Sequence, residues 1–226
     1  MGKNLEDTKI ASTEIRFWNN GVPYRTWAKG IDWYKNLFDG VFCGEKCANY
    51  IEEQSTMKRM SEYIPNIKLI LCIRNPVDRA YSEYQMQKQK ITKPLDMNLA
   101  QQRGYLYRGL YHYQIVNHVL PFFPKKNLYV MIQEKMKKDT SKELNKLYKF
   151  LGASQYDLTA KKITSEEATN RELDLNKDSK VKNYKVWTTK YEPMSSELRS
   201  SLVGYYKPYN NELFKFLGYE IEGWIK

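Results

Sequence analysis

Three short, uninterrupted apolar runs punctuate an otherwise polar chain: GVFCGE around Val41, KLILCI around Leu69 and NLYVMI around Tyr129. Runs of this length, rich in branched residues and lacking polar alternation, predict parallel strands buried on both faces. Between them the apolar positions adopt helical spacing. Residues 48–63 and 76–90 are predicted helices. LYHYQIVNHVLPFF carries a helical apolar face ending near Pro121, and SKELNKLYKFLG is expected to stop at Gly152, a suitable C-cap. Near the end, Leu198, Leu202, Tyr205, Tyr209, Leu213 and Phe216 recur across Pro208, which predicts an amphipathic helix pair interrupted by that proline. Residues 160–190 are polar and aperiodic and read as a long loop. Alternating strands and helices imply an α/β fold with a parallel sheet. No linker or internal repeat divides the chain, so residues 1–226 are expected to form one domain.

The segment LILCIRNPVDRAYSEY concentrates the candidate chemistry. Asn75 suits an N-cap, Pro76 the first helical position where its missing N–H is harmless, and Asp78 the positive end of the helix dipole. A strand therefore passes through a tight turn into a helix, with Arg74 in the turn. Open parallel sheets bind ligands beyond the carboxyl ends of their strands, so an arginine here, beside a helix N-terminus, points to an anion.

Composition narrows the class. The 42% hydrophobic and 14% aromatic content exclude a disordered chain, and a mean hydropathy of −0.72 excludes a multi-span membrane protein. No apolar run approaches the roughly 20 residues needed to span a bilayer. The opening MGKNLEDTKIASTE lacks the apolar core of a signal peptide. A net charge of +11 favours anionic partners, although many lysines lie in polar stretches that read as solvated surface. Three cysteines without a C-x-x-C pair, and two histidines, His112 and His118, give no zinc pattern and suit a reducing compartment.

Read whole, IRNPVDRAYSEY resembles the 3′-phosphate-binding motif of sulfotransferases that use 3′-phosphoadenosine 5′-phosphosulfate (PAPS). STEIRFWNN at 12–20, KGIDWYKNLF at 29–38 and GEKCANYI at 44–51 resemble consecutive blocks of the heparan sulfate sulfotransferase type, particularly the N-sulfotransferase domain and its bacterial relatives. RGLYHYQIVNHVLPFFPKKNLYVMIQEKM, LYKFLG and KYEPMSSELRSSLVGYYKPYNNELFKFLG resemble later blocks in the same order, so the likeness covers nearly the whole chain. It implies a P-loop-NTPase-like parallel sheet flanked by helices, no metal, and transfer of a sulfuryl group from PAPS to a hydroxyl or amine of a glycan-type acceptor, with 3′-phosphoadenosine 5′-phosphate (PAP) as product. Nucleic acid is not an expected partner.

The resemblance also implies roles. Arg74 and Ser82 would hold the 3′-phosphate. Glu14 would be the general base, Lys46 would reach the transferred group or the acceptor, and Arg16 would face an anionic or polar acceptor. Lys190 and Tyr191 fall where the family has a basic loop over the nucleotide, but Trp187, Thr188 and Thr189 replace its Lys, Gly and Arg residues. A second departure is larger. The family opens with a strand and a glycine-rich loop that cradles the 5′-phosphosulfate, and nothing before Glu14 matches it, so the first strand and phosphate loop are expected to be missing and the chain to be a fragment. A shortened, inactive homologue is the alternative. The expected site of action is the cytoplasm, or the Golgi lumen for a eukaryotic protein with an upstream anchor. A nonenzymatic PAP- or polyanion-binding module is the competing function, and a nucleotide kinase would need the phosphate loop.

Overall fold

The computed structural model describes residues 14–19, 26–38, 43–87, 94–153 and 192–225. Two strands, β1 (Leu69–Ile73) and β2 (Leu128–Ile132), pair in parallel with Leu69 opposite Leu128 and Ile73 opposite Ile132. The helices are α1 (Ile31–Lys35), α2 (Gln54–Tyr63), α3 (Pro76–Gln87), α4 (Met97–Gln102), α5 (Tyr111–Gln114), α6 (Gln133–Lys138), α7 (Thr140–Leu151) and α8 (Ser196–Leu217). The expected α/β architecture, a parallel sheet flanked by helices, is present.

The strands are less buried than their composition predicts. Ile73 and Ile132, at the carboxyl ends, pack with Tyr111, Ile115 and Phe214 in one core cluster. On the opposite face Tyr129 of β2 meets Phe150 of α7, ring centroids 5.3 Å apart, while Ile70 and Cys72 of β1 stay exposed. An unbroken apolar run fits a strand covered on both faces, but among the described residues α7 covers only the β2 side. The third predicted strand does not form where the chain is described: Cys43–Lys46 is irregular and Cys43 is exposed. β1 and β2 pair only with each other among the described residues, and the segment 43–46 joins neither outer edge. Val41 itself lies outside the described residues.

Two helical expectations change for physical reasons. The predicted helix over 48–63 breaks at Glu53 into a 3₁₀ turn, Tyr50–Glu52, and α2. Distant side chains take the carbonyls that a continuous helix would use: His118 Nδ1 donates to Ile51 O (2.6 Å) and Tyr107 Oη to Glu52 O (3.1 Å). The C-terminal pair is instead one 22-residue helix, α8, running through Pro208. An interior proline costs about 3 kcal/mol, but α8 buries Leu202 and Tyr206 in one core cluster and Leu213 and Phe214 in another. Tertiary packing of both halves outweighs the lost hydrogen bond, and Pro208 lies on the exposed side. Gly109 lets α8 approach closely, because a Cβ there would sit 2.7 Å from the Tyr206 ring.

Two local expectations hold. α3 starts at Pro76 and α7 ends at Gly152, which caps it at a left-handed φ of 76°. The loop predicted over 160–190 lies outside the described residues. Among the described residues no helix is long and apolar enough to cross a membrane.

Candidate active site

At the carboxyl end of β1 the chain leaves buried Ile73 and turns at Arg74 and Asn75 into α3. Three side chains fix this turn. Tyr111 Oη donates to Arg74 O (2.9 Å), Asn75 N donates to Glu134 Oε1 (2.8 Å), and Asn75 Nδ2 donates to Gly223 O (3.1 Å). Burial pushes the Tyr111 phenol up to about 12, so it remains a donor across the physiological range. Asn75 Oδ1 accepts from Val77 N (2.9 Å) and Asp78 N (3.4 Å), the capping role expected of it.

That cap changes how an anion could bind. Pro76 has no N–H, Val77 and Asp78 donate to the cap side chain, and Arg79 N donates to Asn75 O. The backbone donors at the start of α3 are therefore committed, and an anion must be held by side chains and the helix dipole. Among the described residues the Arg74 guanidinium makes no hydrogen bond or ion pair, and neither does the Ser82 hydroxyl. Ser61 and Ser201, by contrast, return their hydroxyls to carbonyls of their own helices. Ser82 lies one turn beyond Asp78, so the two share a face of α3. Arg199 of α8 crosses to pair with Asp78 at 2.8 Å. Tyr81 Oη donates to Glu192 O (2.9 Å), which ties the segment before α8 to the same helix. Lys190 and Tyr191 lie outside the described residues.

The segment 43–49, which carries Lys46, reaches Glu14 through its backbone. Ala48 N donates to Glu14 Oε1 (3.1 Å), and Arg16 contacts Glu14 Oε2 through Nε and a terminal nitrogen, each at 3.1 Å. Partial burial raises the Cys72 thiol, and the Lys46 charge offsets part of that rise. Lys46 is thus within electrostatic reach of Cys72 in β1, on the segment whose Ala48 N–H holds Glu14. Burial also pushes the Cys47 thiol up to about 11, so it stays protonated at neutral pH and donates to Asn49 Oδ1 (2.9 Å).

Sequence reasoning missed two carboxylates. Glu134 fixes the Arg74 turn, and its only signal in the sequence is an acidic residue in the first turn of the helix that follows β2. Glu45, beside Lys46 in sequence, has both oxygens sealed from solvent against Tyr50, Tyr34 and Trp18. Burial raises its pKa above the ordinary carboxylate range, and the surrounding hydroxyls and indole offset only part of that. Because the folded value exceeds the unfolded one, the stability Glu45 contributes is full below the unfolded value of 4.5 and is lost as pH rises through the folded value. Glu45→Gln, neutral and nearly isosteric, removes that dependence. Its melting temperature relative to wild type is expected to match at low pH and to rise progressively toward neutral pH. Parallel melting curves across that range would show Glu45 to be ionised in the folded state.

The order of these elements now meets a direct comparison. A sequence profile described as "Sulfotransferase domain" matches residues 18–218. The chain belongs to the sulfotransferase family. Its curated relatives include the mouse bifunctional heparan sulfate N-deacetylase/N-sulfotransferase 4, 30% identical over 94% of this chain and 27% of that protein. The human bifunctional heparan sulfate N-deacetylase/N-sulfotransferase 3 is 28% identical over the same shares. The sulfotransferase chain thus spans about a quarter of the length of these relatives. A crystal structure of a sulfotransferase from Alicyclobacillus acidocaldarius shares the fold, with a TM-score of 0.64 and 20% identity over 95% of this chain and 87% of that one.

Proposed function

We propose that this sulfotransferase chain binds PAPS and directs its sulfuryl group to a hydroxyl or amine of a glycan. The observation that carries this reading is a pair of donors uncommitted among the described residues: the Arg74 guanidinium just beyond the carboxyl end of β1 and the Ser82 hydroxyl on the second turn of α3. A phosphate dianion needs several donors and a countercharge, which these two residues and the α3 dipole supply. The residues therefore fit the 3′-phosphate. Among the described residues no glycine-rich turn stands ready for the 5′-phosphosulfate.

When bound, PAPS supplies an activated sulfuryl group with PAP as the leaving group. The chain's own residues then have separate tasks. Arg74 and Ser82 set the position of the nucleotide. Lys46 brings fixed positive charge to the transferred group, where negative charge grows on the departing oxygen. Glu14 takes the proton from the acceptor as it attacks, since a neutral hydroxyl or ammonium-derived amine is a weak nucleophile until that proton moves. Lys190 and Tyr191 are assigned to cover the nucleotide. A glycan acceptor is supported by the names of the relatives, which are heparan sulfate N-sulfotransferases.

Calorimetric titration with PAP and with adenosine 5′-phosphate tests the donor assignment, because the two differ by the 3′-phosphate. PAP is expected to bind at least about tenfold more tightly, the worth of one charge-assisted hydrogen bond. Equal affinities would reject the assignment.

A further inference from the structure

The two halves of the site lie on different elements. Arg74 and Ser82 belong to the β1 turn and α3, whereas Lys46 and the Ala48 N–H that holds Glu14 belong to the segment running into the 3₁₀ turn Tyr50–Glu52. One side chain spans the two. Arg108 donates from Nε to both oxygens of Glu52 (3.1 and 3.2 Å) and from a terminal nitrogen to Glu83 Oε1. Glu83 directly follows Ser82 on α3, and its second oxygen accepts from Arg79 Nη1 (2.8 Å), one helical turn back. Arg79, Glu83, Arg108 and Glu52 thus form a chain of alternating charges whose side chains keep 15%, 19%, 35% and 25% of their exposure.

The stretch that carries Arg108 is itself anchored. Tyr206 Oη donates to Tyr105 O (3.2 Å) and Leu106 O (3.1 Å), and Gln114 Nε2 donates to Tyr107 O (3.0 Å). Tyr107 and His118, from the same stretch, hold the carbonyls of Glu52 and Ile51. Arg108 adds the contact that continues to α3. A guanidinium suits this place because its planar fork aims donors at two carboxylates at once, which the single nitrogen of a lysine does not. Partly buried ion pairs add little net stability over apolar packing, and their best-attested use is to fix register.

We infer that Arg108 is a positioning residue for the transfer: by bridging Glu83 to Glu52, it holds the segment that carries Lys46 and binds Glu14 in register with the helix that binds the donor. The inference rests on the sulfuryl-transfer reading above and adds to it a residue that touches neither substrate. Where catalysis is mostly positioning, a shift of about 1 Å between two groups costs about 100-fold in rate.

The test is amide hydrogen exchange on the full chain, with circular dichroism, PAP titration and turnover measured on every variant. In Arg108→Gln, exchange over residues 43–52 is expected to quicken by about tenfold, the loss of one charge-assisted hydrogen bond. Exchange in α3, where Arg79 still holds Glu83, should stay close to wild type. Glu83→Gln supplies the readout that a local brace would not move. Although Glu83 lies on α3, its loss is expected to quicken exchange over 43–52, and this effect should vanish once Arg108 is glutamine. Arg108→Lys is expected to behave like Arg108→Gln. In both Arg108 variants PAP affinity should stay near wild type while kcat falls by about ten- to 100-fold. Unchanged exchange over 43–52 in folded Arg108→Gln, a Glu83→Gln effect there that persists without Arg108, or an unchanged kcat overturns the inference. Failure of wild type to bind PAP or to transfer a sulfuryl group overturns the sulfuryl-transfer reading instead, and the exchange cycle, which needs no nucleotide, still decides whether Arg108 links α3 to the segment.

Discussion

Arg74→Ala is expected to weaken PAP binding by about 30- to 4000-fold while leaving adenosine 5′-phosphate almost unaffected. Truncating one partner of a desolvated, hydrogen-bonded charge pair costs about 2–5 kcal/mol, and each 1.4 kcal/mol is about tenfold in affinity. The backbone donors of α3 cannot compensate. Val77 and Asp78 are bound to the Asn75 side chain, and Pro76 has no N–H to offer. The fold should survive the change, because the Arg74 contact that fixes the turn is its carbonyl, held by Tyr111, and the neighbouring bond runs from Asn75 N to Glu134. Ligand choice separates the specific effect from a general one. Loss of affinity for both nucleotides would indicate a disturbed pocket, and unchanged PAP affinity would remove Arg74 from the phosphate site.

The same residues show why some of this molecule could be read from its sequence and some could not. The turn from β1 into α3 was legible because its logic is local: an apolar run, an arginine, a capping asparagine, a proline at the first helical position and a serine two turns on lie within fourteen consecutive residues, 69–82. Gly152 was legible for the same reason, since a left-handed C-cap needs only its own φ. Long-range partners decided the rest. Ile51 and Glu52 leave the helix because His118 and Tyr107 claim their carbonyls from more than fifty residues away. Pro208 fails to break α8 because two separate core clusters hold the halves in line. Nothing local to Glu45 marks it as buried; Tyr34, Tyr50 and Trp18 close over it in the fold. The open face of β1 at Ile70 and Cys72 is likewise a matter of where α7 lies, which no apolar count encodes. Within the site, Arg74 followed from its place in the turn, whereas the roles of Ser82, Glu14 and Lys46 rested on the resemblance to the family. That Ala48, two residues after Lys46, holds Glu14 is a property of the fold.

Glu14→Gln is expected to lower kcat for sulfuryl transfer by about 100- to 10,000-fold, the span usually contributed by a positioned general base. Glutamine keeps the shape of the side chain and can still accept from Ala48 N, so the segment that carries Lys46 should stay in place. What it loses is the capacity to take a proton from the acceptor. Donor affinity should therefore remain close to wild type, in contrast to Arg74→Ala. Acceptor affinity separates two roles that a fall in rate alone would merge. If Glu14 only positioned the acceptor, its loss would raise KM; if it is the base, acceptor affinity should stay close to wild type while turnover collapses. A kcat within about fivefold of wild type would assign proton removal to another group or to water, because so small a loss falls short of general-base catalysis. The two variants thus divide the site along the line the structure draws. One removes a donor at the end of β1 and is read in nucleotide binding; the other removes an acceptor above the segment 43–49 and is read in turnover.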